Sequence, residues 1–391
     1  MRTSNGISVA RPGLLRLHLV MRTLRPDLSP SGRPIMPMTS RQRVQAAFAH
    51  DIPDRVPIDY LANPGIDARL KAHYGLRRDD DEGLRQALGV DFFEIIPPYT
   101  GPPLHEEIPG RRIDLWGART RWVEHGSGGY WDYCDFPLRD ADEDAVARWP
   151  MPSPDDYDYS VIPELCARYR HYALLVGNPG AGDMINTAGM VRSMEQVMVD
   201  LATGDPACFL FMDRKNDVQL EILRRVLEAA RGAIDILWLG EDLGSTRGPL
   251  ISRELFRKEI RPRHQKFVDL ARSFGIPVMM HSCGSSSWAF DDFLEMGITI
   301  IDTLQPEAKD MAPATLKRRW GDRLSFHGCV STGGVVARGT AEETVRMVRE
   351  TLEVMMPGGG FAIAPTHMLQ DDSPTENVVA MYDAVRRLGV Y

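Results

Sequence analysis

The sequence predicts an α/β fold, a (β/α)8 barrel carrying an aromatic-rich β insertion. Short apolar runs recur about eight times, near residues 57, 93, 174, 237, 279, 300, 326 and 362, at the length of buried strands. Between them lie segments with apolar residues at helical spacing, and strands alternating with amphipathic helices imply a parallel sheet. Acid, His and Cys residues stand at the ends of successive runs, where a barrel of this kind gathers its reactive groups. A doubly wound sheet is the alternative.

The chain has 391 residues, 43% hydrophobic and 26% charged, the composition of a globular protein. A net charge of −8 gives no reason to expect a nucleic-acid partner. No apolar run reaches the roughly 20 residues that span a bilayer. The five cysteines (Cys134, Cys166, Cys208, Cys283 and Cys329) are scattered and odd in number, so free thiols and a cytoplasmic location are expected. Residues 1–37 hold six arginines against one acid, Asp27, with several Pro and Gly. This segment reads as a disordered N-terminal extension, and residues 38–391 as the folded unit.

Taken in order, Ser40–Ala49 reads as a helix and Val56–Tyr60 as a first short strand. Residues 64–89 are helical and Val90–Ile96 is a second strand, stopped by Pro97-Pro98. From about 97 to 160 the chain is irregular and rich in aromatics. Its alternating segments Arg121-Trp122-Val123-Glu124 and Tyr130-Trp131-Asp132-Tyr133 predict hairpin strands. Regular alternation then resumes, with strands at 172–177, 234–240, 277–281, 298–302, 324–328 and 361–364. Thr340 with Glu343 forms a capping box before one helix. Ser373-Pro374-Thr375-Glu376 carries N-cap, proline and acid signals for the last one.

The most informative stretch is Pro277-Val278-Met279-Met280-His281-Ser282-Cys283-Gly284. Residues two apart on an extended segment share a face. His281 and Cys283 therefore point the same way from the strand's carboxyl end, and such a pair suits zinc. Further candidates stand at other strand ends: Asp59, then Glu241 and Asp242, then Gln305, Cys329 and His367. Glu241 or Asp242 could equally cap the turn or pair with Arg247, and Cys329 could be a packing residue. His327 lies within a strand and reads as core-facing. His367 follows a proline into a polar loop, so packing explains it poorly. Asp242, Gln305 and Tyr60 are the candidate substrate contacts.

Several segments together resemble the uroporphyrinogen decarboxylase superfamily. They are Ser40-Arg41-Gln42-Arg43-Val44, Pro53-Asp54-Arg55-Val56-Pro57, the run from Glu241 to Ser252, His281 to Gly284, and Ala364 to Asn377. The resemblance implies a (β/α)8 barrel and one of two activities. The tetrapyrrole decarboxylase branch needs no cofactor and binds substrate carboxylates through an arginine-rich N-terminal motif. Residues 56–63 here carry no arginine. His367 matches that branch's active-site histidine, and Asp59 and His367 would handle protons, with Arg55 and Arg247 as the available cations. The other branch, zinc-dependent methyltransferases, moves methyl groups between a corrinoid protein and a thiol or other acceptor. Its zinc is held by an H-x-C pair, a late Cys and an acid. His281 and Cys283 match the pair, and His367 stands where the late Cys would be.

The resemblance therefore implies a methyltransferase acting on a small-molecule substrate. Zinc would be held by His281, Cys283 and His367, with Glu241 or Cys329 as fourth ligand. His367, Asp59 and Glu241 are its catalytic candidates. The chain has no D-x-H-x-x-G corrinoid-binding motif, so the corrinoid would arrive on a separate protein. A homodimer is the candidate assembly. The alternative function is a cofactor-independent decarboxylase of a tetrapyrrole or other carboxylic acid.

Overall fold

The structure is a computed structural model, and it describes residues 37–125 and 128–391. The predicted N-terminal extension lies outside the described residues apart from Pro37. From Met38 onward the chain forms one compact unit. Among the described residues, no helix is long and apolar enough to cross a membrane.

Ten strands are present among the described residues. They are β1 (Phe92–Glu94), β2 (Arg112–Ile113), β3 (Arg119–His125), β4 (Gly128–Cys134), β5 (Ala173–Val176), β6 (Ile236–Gly240), β7 (Val278–His281), β8 (Ile300–Thr303), β9 (Ser325–Val330) and β10 (Phe361–Pro365). Seven of them form a curled parallel sheet in the order β1-β5-β6-β7-β8-β9-β10. This is an α/β architecture compatible with a (β/α)8 barrel. The strand expected near residue 57 is reduced to an extended segment between the two edge strands. Ile58 bridges Ile363 in parallel. Asp59 N–H donates to the Ile363 carbonyl at 3.0 Å, and Asp91 N–H donates to the Ile58 carbonyl at 2.8 Å. With Pro57 inside it, the segment lacks one of the donors a full ladder needs.

The period-2 alternation of the strands separates two sets of side chains. Phe92, Ala173, Leu175, Ile236, Trp238, Met279, Ile300 and Ala362 form one buried apolar cluster, joined by Val44 and Phe48 of helix Ser40–Phe48. Their neighbours Val278, Met280, Ile301, Phe326, Phe361 and Ile363 belong to a second, larger cluster with the helices. Two residues beyond an inward position comes another inward one. Met279 leads to His281, Ile300 to Asp302, and Ser325 to His327. The alternation thus turns polar residues into the sheet interior at its carboxyl end.

Residues 112–134 form a separate antiparallel sheet, β2-β3-β4, as the alternating aromatic segments predicted. Trp122 faces Trp131 across the ladder, with ring centroids 5.7 Å apart. Some helices break where the sequence suggested continuity. Residues 64–89 form two helices, Pro64–His73 and Asp81–Leu88, and the helical sequence expected over about 188–202 is divided by Ser193 at φ 69° into Ile185–Arg192 and Met194–Thr203. The Thr340 capping box forms as expected. The Ser373 cap does not; that helix starts at Thr375, and the buried Ser373 hydroxyl has no hydrogen-bond partner.

A buried charge network ties the 56–59 segment in place. Asp91, fully buried, takes Arg43 Nη1 at 2.6 Å and Arg55 Nη1 at 2.7 Å. Its Oδ2 also accepts the Ile58 N–H at 2.9 Å. Arg43 reaches Asp54 as well, at 2.6 Å. Removing one partner of such a network leaves buried charge uncompensated, at a cost of about 3–5 kcal/mol. Asp91→Ala should therefore lose stability of that order in equilibrium urea unfolding, and a loss below about 1 kcal/mol would show that the network does not fasten the segment.

Candidate active site

The sheet register sets the site. His281 is the partner of Asp302, and Asp302 is the partner of His327. One row across β7, β8 and β9 therefore carries His, Asp and His side by side. Asp302 serves both rings: its Oδ1 lies 2.6 Å from His327 Nδ1 and its Oδ2 lies 2.7 Å from His281 Nδ1. Trp238 Nε1–H donates to the same Oδ2 at 3.2 Å. On the far side, His327 Nε2 meets Asp59 Oδ2 at 3.2 Å. Phe92 and Trp238 enclose the His327 ring at centroid distances of 5.3 and 6.2 Å.

Three residues converge at the open end of the row. One ligand atom from each of Asp242, His281 and Cys283 lies within 4.8 Å of the others. Cys283 Sγ is 3.4 Å from His281 Nε2, and Asp242 Oδ1 is 3.8 Å from the same nitrogen. His281 Nδ1 is 2.7 Å from Thr303 Oγ1 as well as from Asp302. The Asp302 carboxylate at Nδ1 places a ring hydrogen there, and Nε2 is the ring atom that faces the cysteine and the acid. Asp242 is itself oriented, accepting the Cys283 N–H at 2.7 Å and the Asn186 side chain at 2.9 Å. One nitrogen, one sulfur and one carboxylate oxygen, with the histidine tautomer fixed by a carboxylate behind it, is a donor set that fits zinc.

Backbone packing makes this convergence possible. The loop after β6 and the loop after β7 touch main chain to main chain: a Cβ on Gly284, at φ 71°, would fall 2.1 Å from the Gly244 carbonyl oxygen. Thr303 ends β8 at φ 92°, rare for a β-branched residue. Its carbonyl leaves no room for a side chain at position 328, where a Cβ would come within 2.2 Å. Such strain is tolerated where surrounding contacts fix it, and here Thr303 Oγ1 is committed to His281.

The other predicted residues fall in different places. Glu241 was expected as a ligand or catalytic group. It is fully buried instead, and its carboxylate accepts the N–H groups of Met184 and Ile185 at 3.1 and 3.0 Å. There it satisfies the start of helix Ile185–Arg192, and burial raises its pKa to about 8. Cys329, the other fourth-ligand candidate, is buried in the outer apolar cluster, where desolvation pushes its thiol far up. Neither residue belongs to the converging group. His367 is outside that group too, but it lines the same small cavity as Asp59, Tyr60, Trp238, His281 and His327. Burial and the nearby His281 lower its pKa. Gln305 accepts the Gly284 N–H at 3.2 Å and so supports the β7 loop. Tyr60 donates its hydroxyl to Asp67 at 3.0 Å. Arg55 is held by Asp91 and by the carbonyls of Val56 and Gly89, while Arg247 sits exposed on a loop.

Asp302 ends the sixth predicted strand but had no role assigned to it, and Asn186 was not singled out; here they orient His281 and Asp242. The alternation Ile300-x-Asp302, matching Met279-x-His281, was the available signal for Asp302. Asn186 lies on a helix and carries no local signature.

A family description, Uroporphyrinogen decarboxylase (URO-D), matches residues 144–388. The chain belongs to the uroporphyrinogen decarboxylase family. Among solved structures, a methyltransferase from Methanosarcina mazei is similar in fold, with a TM-score of 0.56 at 18% identity, covering 90% of this chain and 99% of that one. A 3-keto-D-glucoside 4-epimerase from E. coli overlaps partially, with a TM-score of 0.33, 14% identity and coverage of 58% and 93%. A D-psicose 3-epimerase does so with a TM-score of 0.34, 12% identity and coverage of 60% and 83%. No curated protein matches the chain.

The buried row has a pH signature. Burial alone would lower the His327 pKa, but Asp302 and then Asp59 outweigh it and raise it to about 9. The folded state therefore holds this proton more tightly than the unfolded chain, whose histidine titrates near 6.5. The resulting stabilisation is complete below about pH 6.5 and is lost as pH rises through about 9. In thermal melts, the advantage of wild type over His327→Gln should shrink across that window. A gap that stays constant from pH 6 to 9 would rule out a charged His327.

Proposed function

We propose that this protein is a zinc-dependent methyltransferase that moves a methyl group between a small methylated substrate or thiol and a separate corrinoid protein. The observation that carries this reading is the convergence of Asp242, His281 and Cys283 at the carboxyl end of the sheet. His281 is committed to Asp302 at its other nitrogen. Family membership and the methyltransferase fold neighbour support it.

Asp242, His281 and Cys283 would hold the ion, and His367, which lines the adjoining cavity with His281, is the further candidate ligand. Zinc supplies Lewis acidity there, favouring a thiolate or a departing heteroatom at neutral pH. The chain's own residues do the positioning. Asp302 and Thr303 fix the His281 ring. Asn186 and the Cys283 N–H aim the Asp242 carboxylate. A further cavity lies at the ends of β1 and β5, walled by Ile95, Val176, Leu223, Trp116 and Tyr157 with Glu94 at its edge.

The decarboxylase alternative needs cations for substrate carboxylates. Among the described residues lining the His281 cavity there is no Lys or Arg, and Arg55 is consumed by Asp91.

Elemental analysis of purified protein should find about one zinc per chain. Asp302→Asn should weaken zinc binding roughly 10–100-fold, as expected when the group behind a ligating histidine is altered. Cys283→Ala should weaken it further and flatten its pH dependence. Methyl transfer at full rate by protein stripped of zinc would reject the proposal.

A further inference from the structure

The cavity at the ends of β1 and β5 is separate from the converging group, since none of Asp242, His281 and Cys283 lines it. It encloses about 170 Å³, and an apolar cavity of roughly 150 Å³ takes a molecule the size of benzene. Its walls come from distant parts of the chain. The 97–160 insertion supplies Trp116 and Tyr157, strand β5 supplies Val176, and helix Pro206–Ala230 supplies Leu223. Glu94, the last residue of β1, is the one charged residue among those lining it.

That carboxylate has no cation of its own. Its Oε1 accepts the Asn178 side-chain N–H at 3.0 Å, and among the described residues its Oε2 has no hydrogen-bond partner. Burial raises the Glu94 pKa, and Asn178 and then Arg85 offset this only in part. Lys215, whose ammonium lies 5.4 Å from the centre of the Trp116 ring, is committed elsewhere. It donates to Gln219 Oε1 at 2.9 Å and to the carbonyls of Gly180 and Asp183 at 3.2 and 3.3 Å. Its charge is countered by Asp183 and Glu241.

We propose that this cavity is a binding site for a small methylated ammonium cation, with its methyl groups against Trp116 and Tyr157 and its charge compensated by Glu94. A quaternary nitrogen has no N–H to donate, so it asks for ring surface and an opposing charge rather than for hydrogen-bond acceptors. Aromatic side chains supply the first, and their electron-rich faces attract the cation as well. An anion would meet Glu94 with no lining cation to offset it. A neutral apolar ligand would strip water from the carboxylate and give nothing back. The proposal does not depend on the methyltransferase reading, because no residue of the metal group takes part.

Calorimetric titration of the full chain with choline tests this, with dimethylbutanol as the control, an uncharged molecule of the same shape in which carbon replaces the quaternary nitrogen. Wild type should bind choline at least roughly 10-fold more tightly than the control, since the two differ only in a charge facing a partly buried carboxylate. Glu94→Gln should abolish most of that preference, and Trp116→Leu should weaken choline binding. Equal affinities for the two ligands in wild type, or no binding of choline, overturn the proposal without any variant. A preference that survives Glu94→Gln overturns it as well, because the cation then sits elsewhere. None of these outcomes bears on zinc, so failure here leaves the methyltransferase reading to its own test.

Discussion

The buried Asp91 carboxylate is the constraint on which the placement of the site depends. It neutralises Arg43 from the first helix and Arg55 from the following turn, and it accepts the Ile58 N–H. The segment it holds lacks the regular pairing of a full strand, so side-chain charge substitutes for part of a hydrogen-bond ladder. Asp59 is the next residue, and it faces His327, which faces Asp302, which faces His281. A displacement of the 56–59 segment would be felt along that row, because each member orients the next through a hydrogen bond rather than through soft apolar contact.

The interior divides by depth. At the amino end of the strands it is apolar, plugged by Val44 and Phe48. One residue pair further along, it turns polar, and every charge there has a partner. Asp302 lies far below the usual carboxylate range because its two histidines outweigh the cost of burial. Beside this row sits a second buried set, Glu241, His264 and Asp183. Burial keeps His264 neutral, with its pKa lowered to about 4, and raises Asp183 to about 8. This second set supports loops: Glu241 meets the start of helix Ile185–Arg192, and Asp183 bonds Asn186, which in turn bonds Asp242. The two sets share carboxylates and histidines but do different work, and only hydrogen-bond partners tell them apart.

That distinction explains what could be read in the sequence. Strand order, the antiparallel aromatic hairpin and the shared direction of His281 and Cys283 follow from local periodicity, and local periodicity is visible in a string of residues. Glu241 and Asp242 are adjacent at one strand end, and the string offers no reason to send one into the loop behind and the other toward Cys283. That choice is made by the free N–H groups of Met184 and Ile185, about sixty positions earlier in the chain. Cys329 and His367 were separated for a similar reason. The backbone at Cys329 turns to φ 72° and the thiol packs into the outer apolar cluster, whereas His367 sits on the loop beyond β10. His327 read as core-facing because a histidine in a strand usually is; its burial was legible, but one of its acidic partners, Asp302, came from the neighbouring strand and the other, Asp59, from the 56–59 segment far away in sequence.

Trp238 gives the buried row an optical consequence. Its indole N–H donates to Asp302, and its ring lies 6.2 Å from that of His327. An imidazolium quenches a nearby indole more strongly than a neutral imidazole does, so the emission of this one tryptophan is coupled to the charge of a histidine that solvent scarcely reaches. The fold has thereby placed a chromophore against a buried ionisable group, and light emitted at Trp238 reports from inside the sheet without any added label.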